Sequence, residues 1–447
     1  MADRYDAIVI GAGPVGQVCA GELADGGMRV AIVERELVGG ECSYWACIPS
    51  KTLLRPGEAL EAAREAPGAR EAVTGSLALG PALEWRDFMT SSWDDTGAVG
   101  WLDDKGVDLL RGEGRISGPG SVSVGSSGTY SCDQIVVATG SSPVIPPVDG
   151  LRDLDGVWTN REATEFKELP ESLVVLGGGP VGVELAQAFR RFGSEVTLCE
   201  GEPRVLPREP EPVGEAVATA LSDEGIVLRL GEHASSARHS DGRFVLTFGE
   251  GDEVSGERLL VATGRRARVD DLGLDTVGIE PSKRGIEVDE SLRAGEGVWA
   301  IGDATGIMPF THVGKYQARI AARAMLGDSS ARADYRAVPR VVFCDPQVAA
   351  VGEASGASTG TAQLSGVART STYTREYASR PGFLTLVSDG SKLVGAYAVG
   401  PEAGEWLQQA TLAVRAEVPL EVLRDTIQPF PTFSEAFVNA LVDLGAP

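Results

Sequence analysis

Two cysteines stand five positions apart in the segment GGECSYWACIPSK, which covers residues 39–51. Cys42 and Cys47 make a redox pair if they can form a disulfide, and otherwise they are two buried thiols without chemistry. Five residues of an ideal α-helix rise about 7.5 Å and turn about 140° away from a common face, whereas a disulfide needs Cα atoms closer than about 7 Å. A bond would therefore require a helix start or a distorted turn.

The length and charge of the chain limit the kind of protein that surrounds this pair. A chain of 447 residues is too long for one hydrophobic core, and 43% hydrophobic residues supply ample core material, so we expect two to four domains. The net charge of -24 argues against nucleic acid and anionic membranes as partners, because both require a basic surface.

The expected location is the cytoplasm. The start of the chain, MADRYDAIVIGAGPVG, lacks a basic leader followed by a cleavage site, and it predicts a first strand rather than a signal peptide. No uninterrupted apolar stretch is long enough to span a bilayer. In a reducing compartment most of the six cysteines are expected to stay free thiols, and a disulfide that survives there would be catalytic.

The N-terminal segment carries a dinucleotide fingerprint. YDAIVIGAGPVG joins a β-branched run to Gly11, Gly13 and Gly16, and a helical pattern and a second strand ending at Glu34 follow. Gly11 permits the tight turn, Gly13 lets the backbone approach a pyrophosphate, and Gly16 lets the helix pack close to the strand. The helix N-terminus favours the phosphates, and Glu34 can accept ribose hydroxyls.

The same pattern returns in LVVLGGGPVGVELAQAFRRFGSEVTLCE with Gly177, Gly179, Gly182 and Glu200. The first glycine and the acidic residue are separated by the same 23 residues in both copies. One chain is therefore predicted to bind two dinucleotides, which suggests electron transfer between a bound flavin and a diffusing nicotinamide.

The acidic residue of the second copy bears on the choice of nicotinamide. A carboxylate at Glu200 pairs with a free 2'-hydroxyl and repels a 2'-phosphate, so NADH is expected over NADPH. Arg204 lies nearby in GEPRVLP and could soften this preference.

Further motifs complete a recognisable order along the chain. They are IVVATGSSP with Thr139 and Gly140, LLVATGRRA with Gly264, VWAIGDAT with Gly302 and Asp303, and FPTFSEAF near the C-terminus. Together with the glycine motifs and the paired cysteines, this order resembles that of the flavoprotein disulfide reductases. These are the pyridine nucleotide-disulfide oxidoreductases that include dihydrolipoamide dehydrogenase, glutathione reductase and mercuric reductase, and the resemblance covers essentially the whole chain.

The resemblance implies an α/β fold with two Rossmann-like dinucleotide-binding domains, for FAD and NAD, and a C-terminal α+β interface domain that forms a homodimer. The expected boundaries are 1–150 and 271–334 for the FAD domain, 151–270 for the NAD domain, and 335–447 for the interface domain. Within the last of these, PRVVFCDPQVAAVG and KLVGAYAVGP predict strands of an antiparallel sheet.

The resemblance also implies roles for particular residues. Glu34 would bind the ribose of FAD and Asp303 its ribityl or phosphate region, while Lys51 and Glu184 are similar to the family's ion pair beside the flavin N5 position. The stretch MPFTHVGKYQARIAA resembles the helix whose N-terminus stabilises negative charge on reduced flavin. The residues expected to bind the two cofactors are Gly11, Gly13, Gly16, Glu34, Thr139, Gly140, Gly177, Gly179, Gly182, Glu200, Gly264, Gly302, Asp303, Thr311 and His312.

The segment with the paired cysteines resembles the family's redox-active disulfide. By that resemblance Cys47 would contact the flavin and Cys42 would exchange with substrate. A zinc site is the alternative, but no second cysteine or histidine pair stands nearby to complete four ligands, so no metal is expected. Glu41 departs from the threonine usual before the first cysteine, and Tyr44 and Trp45 are bulkier than the common spacer.

The C-terminal motif lacks the family's base. In most of these disulfide reductases a histidine before Pro-Thr accepts the proton of the substrate dithiol, and a glutamate orients that histidine. Here TIQPFPTFSEAF has Phe430 at the histidine position and keeps Glu435, and no histidine lies beyond residue 312. Phe430 is expected across a homodimer interface above the partner's Cys42, followed by a cis bond to Pro431 as in relatives.

Two functional classes stay open. The first is an NADH-dependent FAD disulfide oxidoreductase that uses Cys42 and Cys47 on a small-molecule substrate. The second is an NAD(P)H:acceptor flavin reductase, for quinones or a specialised metabolite, in which the cysteines are not essential. Mercury reduction is disfavoured, because mercuric reductases carry a C-terminal cysteine pair that this sequence lacks.

Overall fold

The computed structural model describes residues 4–372 and 382–445. These residues form two compact units, each built from three separate stretches of chain. The first unit contains Met1–Pro49, Glu84–Val144 and Gly264–Asp334, and the second contains Ser50–Leu83, Ile145–Thr263 and Tyr335–Pro447. The predicted boundaries of the FAD, NAD and interface domains stay a prediction.

Strands make up much of both units. In chain order they are β1 (Arg4–Ile10), β2 (Val30–Glu34), β3 (Asp108–Arg111), β4 (Gly114–Gly118), β5 (Ser121–Val124), β6 (Gly128–Val137), β7 (Ser141–Pro143), β8 (Ser172–Leu176), β9 (Glu195–Glu200), β10 (Val227–Leu230), β11 (Ala234–Ser240), β12 (Arg243–Phe248), β13 (Asp252–Gly256), β14 (Arg258–Val261), β15 (Arg265–Ala267), β16 (Arg293–Gly295), β17 (Val298–Ala300), β18 (Pro339–Val342), β19 (Gln347–Gly352), β20 (Ser358–Gln363), β21 (Phe383–Ser388) and β22 (Leu393–Gly400).

Helices connect these strands and cover the sheets. In chain order they are α1 (Pro14–Asp25), α2 (Gly40–Tyr44), α3 (Cys47–Glu65), α4 (Leu79–Met89), α5 (Thr96–Asp104), α6 (Asn160–Glu165), α7 (Pro180–Phe192), α8 (Glu211–Asp223), α9 (Thr311–Met325), α10 (Ala368–Ser371), α11 (Ala403–Trp406), α12 (Gln408–Arg415), α13 (Leu420–Arg424) and α14 (Glu435–Asp443).

The first unit is built on a largely parallel sheet. Its strand order is β16-β17-β6-β1-β2-β3, with β17, β6, β1, β2 and β3 parallel and a β4-β5 hairpin beside β6. Strand β2, VAIVE, is buried at every position, as expected for a parallel strand covered on both faces. Gly11 follows β1 directly and Glu34 ends β2, so the predicted strand, turn, helix and strand are confirmed.

The second unit contains the other Rossmann-like sheet. Parallel strands β10-β9-β8-β14 form it, with Gly177 directly after β8 and Glu200 at the end of β9. The C-terminal region forms an antiparallel sheet in the order β18-β19-β22-β21-β20, which confirms the predicted strands there. One core of the second unit joins side chains of β8 and β9 to Val342, Cys344 and Val399.

Together these sheets confirm the predicted α/β class. Within the described residues, we find no helix with the length and apolar character that a bilayer crossing needs.

Candidate redox and nucleotide sites

The two cysteines lie on either side of a break between two helices. Helix α2 ends at Tyr44, Trp45 has φ -135° and ψ 4°, and helix α3 begins at Cys47. The break brings the Sγ atoms of Cys42 and Cys47 to 2.7 Å, with both residues present as thiols. A bonded pair would have its sulfurs about 2.05 Å apart. The chain therefore supplies the helix start that the spacing required.

The glycines before Cys42 place this segment against the first glycine turn. Gly39 has φ +122° and Gly40 has φ +58°, which is a conformation that side chains disfavour. A Cβ atom on Gly40 would lie 2.9 Å from the Cα atom of Gly13. The redox segment and the first nucleotide turn are thus in direct backbone contact within the first unit.

Thr311, the first residue of helix α9, touches both sulfurs. Its Oγ1 atom lies 3.4 Å from the Sγ of Cys42 and 3.5 Å from the Sγ of Cys47. The hydrogen bond to the Cys47 sulfur and burial raise the pKa of Cys42 well above its ordinary value, although Thr311 and Lys315 act in the opposite direction. The Cys42 thiol is therefore a weaker acid than an ordinary cysteine.

His312 follows Thr311 in helix α9. Its imidazole stacks on the ring of Phe310, with centroids 5.3 Å apart and an interplanar angle of 11°. The structure thus places Thr311 at the thiols and His312 beside an aromatic ring.

Lys51 and Glu184 form an ion pair in the second unit. The Nζ atom of Lys51 lies 2.6 Å from Oε2 of Glu184, whose side chain is only 6% exposed. The other carboxylate oxygen accepts a hydrogen bond from the backbone N–H of Phe343 at 3.0 Å. Lys51 follows Cys47 by one turn of α3, so the helix that begins at the redox pair also carries this ammonium.

The first glycine turn has space only where a ligand would approach. A Cβ atom on Gly11 would lie 2.4 Å from the carbonyl oxygen of Ala138, and one on Gly16 would lie 1.9 Å from that of Gly11. A Cβ atom on Gly13 would meet nothing within 4 Å. Gly11 and Gly16 are therefore required for packing, and Gly13 leaves open room beside the helix N-terminus that fits a pyrophosphate.

The second glycine turn repeats this arrangement. A Cβ atom on Gly177 would lie 2.5 Å from the carbonyl oxygen of Ala262, and one on Gly182 would lie 1.9 Å from that of Gly177. The position of Gly179 is open, like that of Gly13. Both turns therefore fit the same kind of ligand.

The acidic residues at the ends of β2 and β9 are held in matching ways. Glu34 accepts backbone hydrogen bonds from Ala12 and Glu36, both at 2.8 Å. Each carboxylate oxygen keeps a second acceptor site, so ribose hydroxyls can still bind.

Glu200 shows the same pattern in the second copy. It accepts backbone hydrogen bonds from Gly178 at 2.6 Å and from Glu202 at 2.9 Å. Arg204 instead donates to the backbone carbonyls of Pro207 and Glu209, at 3.3 and 3.4 Å. One guanidinium nitrogen is therefore bound by its own loop, and the effect of Arg204 on the nicotinamide preference stays a prediction.

Two of the later motifs meet in the first unit. The Oγ1 of Thr139 donates to the carbonyl of Arg268 at 2.6 Å, and the Oγ of Ser141 donates to Oδ2 of Asp303 at 2.6 Å. Gly140, between them, has φ +75°, which allows the chain to turn.

The remaining predicted glycines lie at similar turns. Gly302 has φ +69°, and its N–H donates to Oε1 of the fully buried Gln317 at 2.7 Å. Gly264 has φ +131°, and its carbonyl accepts from the N–H of Val144 at 2.9 Å. These contacts fix the loops next to Asp303 and β15.

Sequence reasoning missed the charge partners of Glu41. Its carboxylate oxygens lie 3.6 Å from a guanidinium nitrogen of Arg265 and 3.9 Å from one of Arg268. The basic cluster RRAR at residues 265–268 was the available signal, since an acidic residue beside a redox cysteine needs compensating charge.

The C-terminal motif lies in the second unit. Phe430 is 76% exposed in the single chain and precedes a cis bond to Pro431, as expected from the resemblance. Glu435 is the first residue of α14, and its Oε2 atom is buried without a hydrogen-bond partner among the described residues. The predicted position of Phe430 above the partner's Cys42 stays a prediction.

Comparison with known proteins agrees with this architecture. Residues 5–318 match the family profile described as pyridine nucleotide-disulphide oxidoreductase, and residues 338–441 match its dimerisation domain. A mercuric reductase of Acidithiobacillus ferrooxidans is 36% identical over 96% of this chain and 80% of its own length. A dihydrolipoyl dehydrogenase of Chlorobaculum tepidum is 33% identical over 99% of this chain and 97% of its own length.

Solved structures show the same fold. The HOCl-induced flavoprotein disulfide reductase RclA from Escherichia coli superposes with a TM-score of 0.86 at 27% identity, covering 98% of this chain and 99% of its own. LpdA from Mycobacterium tuberculosis gives a TM-score of 0.86 at 26% identity, covering 98% of this chain and all of its own. The chain belongs to the pyridine nucleotide-disulphide oxidoreductase family, whose members are FAD-dependent NAD(P)H disulfide oxidoreductases.

Proposed function

We propose that this enzyme passes electrons from NADH through FAD to the Cys42–Cys47 pair and on to a small-molecule substrate of disulfide type, without a histidine base. The observation that carries the proposal is the 2.7 Å separation of the two sulfurs. Two further features support a redox role: a helix break brings the two thiols together, and the Thr311 hydroxyl contacts both sulfurs.

The chain offers a set of residues for each cofactor. The turn around Gly13, with Glu34, Thr139 and Asp303, would hold FAD, and the turn around Gly179, with Glu200, would hold the nicotinamide dinucleotide. When bound, FAD supplies two-electron chemistry, accepting a hydride from NADH and delivering two electrons to a disulfide. The Lys51–Glu184 ion pair serves this transfer.

The cysteines then carry out disulfide exchange. The Cys42 thiolate attacks one sulfur of the substrate disulfide and displaces the other as a thiolate. Cys47 attacks the Cys42 sulfur in turn, which re-forms the protein disulfide and releases the second substrate thiol. The proton of Cys42 must leave before the first attack, and Phe430 cannot accept it.

Two other observations favour a second candidate, an NAD(P)H:acceptor flavin reductase for quinones or a specialised metabolite. Its reaction takes electrons from reduced flavin and needs no thiolate. The raised pKa of Cys42 and the phenylalanine at position 430 both disfavour thiol chemistry at neutral pH, and they leave this route unaffected.

We also propose a cytoplasmic homodimer. The C-terminal region that matches the dimerisation profile exposes large apolar side chains in the single chain. They include Leu412 (67%), Ile427 (93%) and Phe430 (76%). Apolar side chains at this density are typical of an interface between subunits.

Anaerobic titration with NADH separates the two candidates. If the cysteines accept electrons from flavin, full reduction is expected to consume two equivalents of NADH per FAD, with a long-wavelength charge-transfer band from the Cys47 thiolate. Cys47→Ser is expected to remove the band and one of the two equivalents while FAD stays bound. The measurement is the absorption spectrum at each addition.

Cys132→Ser is the matched control for this titration. It removes a buried thiol that does not contact the pair and should leave both equivalents and the band unchanged. A wild-type protein that takes one equivalent and shows no band would refute the disulfide proposal and support the acceptor reductase.

The nicotinamide preference is expected to depend on the charge of Glu200. A carboxylate close to a 2'-phosphate should give at least about a tenfold advantage in kcat/KM to NADH, because like charges a few ångströms apart repel by over 1.4 kcal/mol at an effective dielectric near 20. Glu200→Gln keeps an acceptor for the Gly178 N–H but removes the charge. It should bring the kcat/KM values for NADH and NADPH closer together. Glu202→Gln, at an exposed neighbour, serves as the control. Equal efficiency with both nucleotides in the wild type would contradict the assignment.

A further inference from the structure

Three polar side chains on one face of helix α7 bind a short segment of the C-terminal region. Glu184, Gln187 and Arg191 are spaced three and then four residues apart, so they share that face. Glu184 accepts from the N–H of Phe343, and Arg191 donates to Oδ2 of Asp345 at 2.8 Å. We call this set, with its bonds to residues 343–345, the α7 ladder.

The centre of the α7 ladder is the fully buried Gln187. Its Oε1 accepts from the N–H of Asp345, and its Nε2 donates to the Asp345 carbonyl, both at 2.8 Å. The carboxylate of Glu224 also bonds to this set. It accepts a hydrogen bond from Gln187 at 2.7 Å and hydrogen bonds from two nitrogens of Arg191 at 2.9 and 2.7 Å. A buried polar network with this many bonds fixes the segment firmly.

The segment held in this way contacts both members of the ion pair. The backbone N–H of Phe343 binds Glu184 at 3.0 Å, and the Nζ of Lys51 lies 4.7 Å from the centroid of the Phe343 ring. An aromatic face attracts an ammonium group at this distance. The cation therefore has the carboxylate and the Phe343 ring as two separate attractive neighbours.

The α7 ladder also supports the helix that carries Lys51. A Cβ atom on Gly57, in α3, would lie 2.6 Å from Cδ of Arg191, so α3 packs directly on the arginine stem. Arg191 thus contacts the Lys51 helix as well as the segment that contains Phe343.

We propose that Phe343 is a positioning residue for electron transfer, held by the α7 ladder and fixing the Lys51 ammonium against Glu184. This inference rests on the proposed role of the Lys51–Glu184 pair in hydride transfer. It adds that a residue between strands β18 and β19, in the C-terminal region, sets the reactivity of the flavin. An ammonium that is held less firmly stabilises the negative charge of reduced flavin less well.

The test compares Phe343→Leu and Phe343→Tyr with Glu184→Gln in the FAD-loaded enzyme. Phe343→Leu keeps the backbone N–H and removes the aromatic face. It is expected to slow single-turnover flavin reduction by NADH about 2- to 30-fold, the factor that corresponds to a cation–π contact, and to shift the flavin midpoint potential to a more negative value. Phe343→Tyr keeps the ring and should stay close to wild type in both measurements.

Phe88→Leu is the matched control, because Phe88 is an exposed aromatic residue of the first unit that stacks on Trp85. One result would overturn the inference and leave the proposed function standing. In it, Phe343→Leu has the same flavin reduction rate and midpoint potential as Phe88→Leu, while flavin reduction is slow in Glu184→Gln. Phe343→Tyr as slow as Phe343→Leu would overturn it also, since the ring face would not matter. A normal rate and potential in Glu184→Gln would refute the role of the ion pair itself and the inference with it.

Discussion

Replacing Phe430 with histidine is expected to raise the rate of thiol–disulfide exchange by about 100- to 10,000-fold, the usual contribution of a positioned general base. The wild-type ring cannot accept a proton, and the hydrogen bond to Cys47 together with burial raises the pKa of Cys42. At neutral pH little Cys42 thiolate is therefore available for attack. An imidazole at position 430 supplies the acceptor that is missing.

By the resemblance, Glu435 is the expected orienting group for the new imidazole. The Oε2 of Glu435 is buried and has no hydrogen-bond partner among the described residues, and a buried unpaired acceptor is costly unless a donor reaches it. We expect that an imidazole N–H at position 430 meets this need. The double variant Phe430→His with Glu435→Gln should lose much of the gain, whereas Phe430→Leu should match the wild type.

The measurement is steady-state turnover of dihydrolipoamide and of small disulfides such as glutathione disulfide. The prediction is contradicted if the wild-type enzyme already turns over dihydrolipoamide at the rate of a dedicated dehydrogenase. It is also contradicted if Phe430→His leaves disulfide exchange unchanged while FAD content and stability are normal. The structure of a dimer with Phe430 far from Cys42 of either subunit would remove its basis.

The pH dependence of the wild-type reaction follows from the direction of the Cys42 shift. Because the pKa of this thiol is raised, the thiolate fraction at neutral pH is small and grows about tenfold per pH unit until the pKa is reached. Disulfide exchange should rise steeply from pH 7 to pH 9. In Phe430→His the rise should occur at lower pH, near the imidazole pKa of about 6.5. A wild-type exchange rate that is flat over this range would contradict the assigned direction.

Those parts of the fold that short, repeated sequence motifs specify could be predicted from the sequence. The two glycine fingerprints place Gly11 and Gly177 directly after buried strands, and Glu34 and Glu200 at the ends of the next strands. The cysteine spacing required a break in the helix, and helix α2 ends just before Trp45. Each of these features is set by residues within a few dozen positions of one another.

Contacts between distant residues could not be predicted in this way. Gln187 looks like an ordinary helix residue, yet it binds the backbone of Asp345, which lies 158 positions away. The partners of Glu41 likewise come from Arg265 and Arg268. Such pairs depend on how strands are ordered in the sheet, and a single sequence carries no local pattern for them.

The same difficulty applies to the acidity of the Cys42 thiol. The resemblance assigns Cys42 to the substrate and Cys47 to the flavin, but it does not say in which direction the site shifts the pKa of Cys42. That shift depends on the hydrogen bond between the sulfurs, on burial, and on the hydroxyl of Thr311 from helix α9. It is a property of the folded site rather than of either residue alone.

Removal of the Cys42 thiol is the change expected to distinguish the two functions most sharply. Cys42→Ser should reduce disulfide turnover on the order of 10,000-fold or more, the scale observed when a catalytic nucleophile is lost. A serine hydroxyl at this position cannot form the mixed disulfide on which the reaction depends. Reduction of a quinone acceptor by NADH should stay within about twofold of wild type, because that transfer bypasses the thiols.

These two rates, measured on the same preparation, show which of the two reactions passes through the Cys42 thiol. Cys132→Ser is again the control, since it removes a thiol that does not contact the pair, and it should alter neither rate. If Cys42→Ser lowers quinone reduction as strongly as disulfide reduction, the electrons reach the quinone through the thiols and the direct route is wrong. If the variant retains its disulfide turnover, Cys42 is not the exchanging sulfur and the proposed disulfide mechanism fails. A large, selective loss would show that disulfide turnover passes through Cys42, whose sulfur lies 2.7 Å from that of Cys47 across the helix break at Trp45.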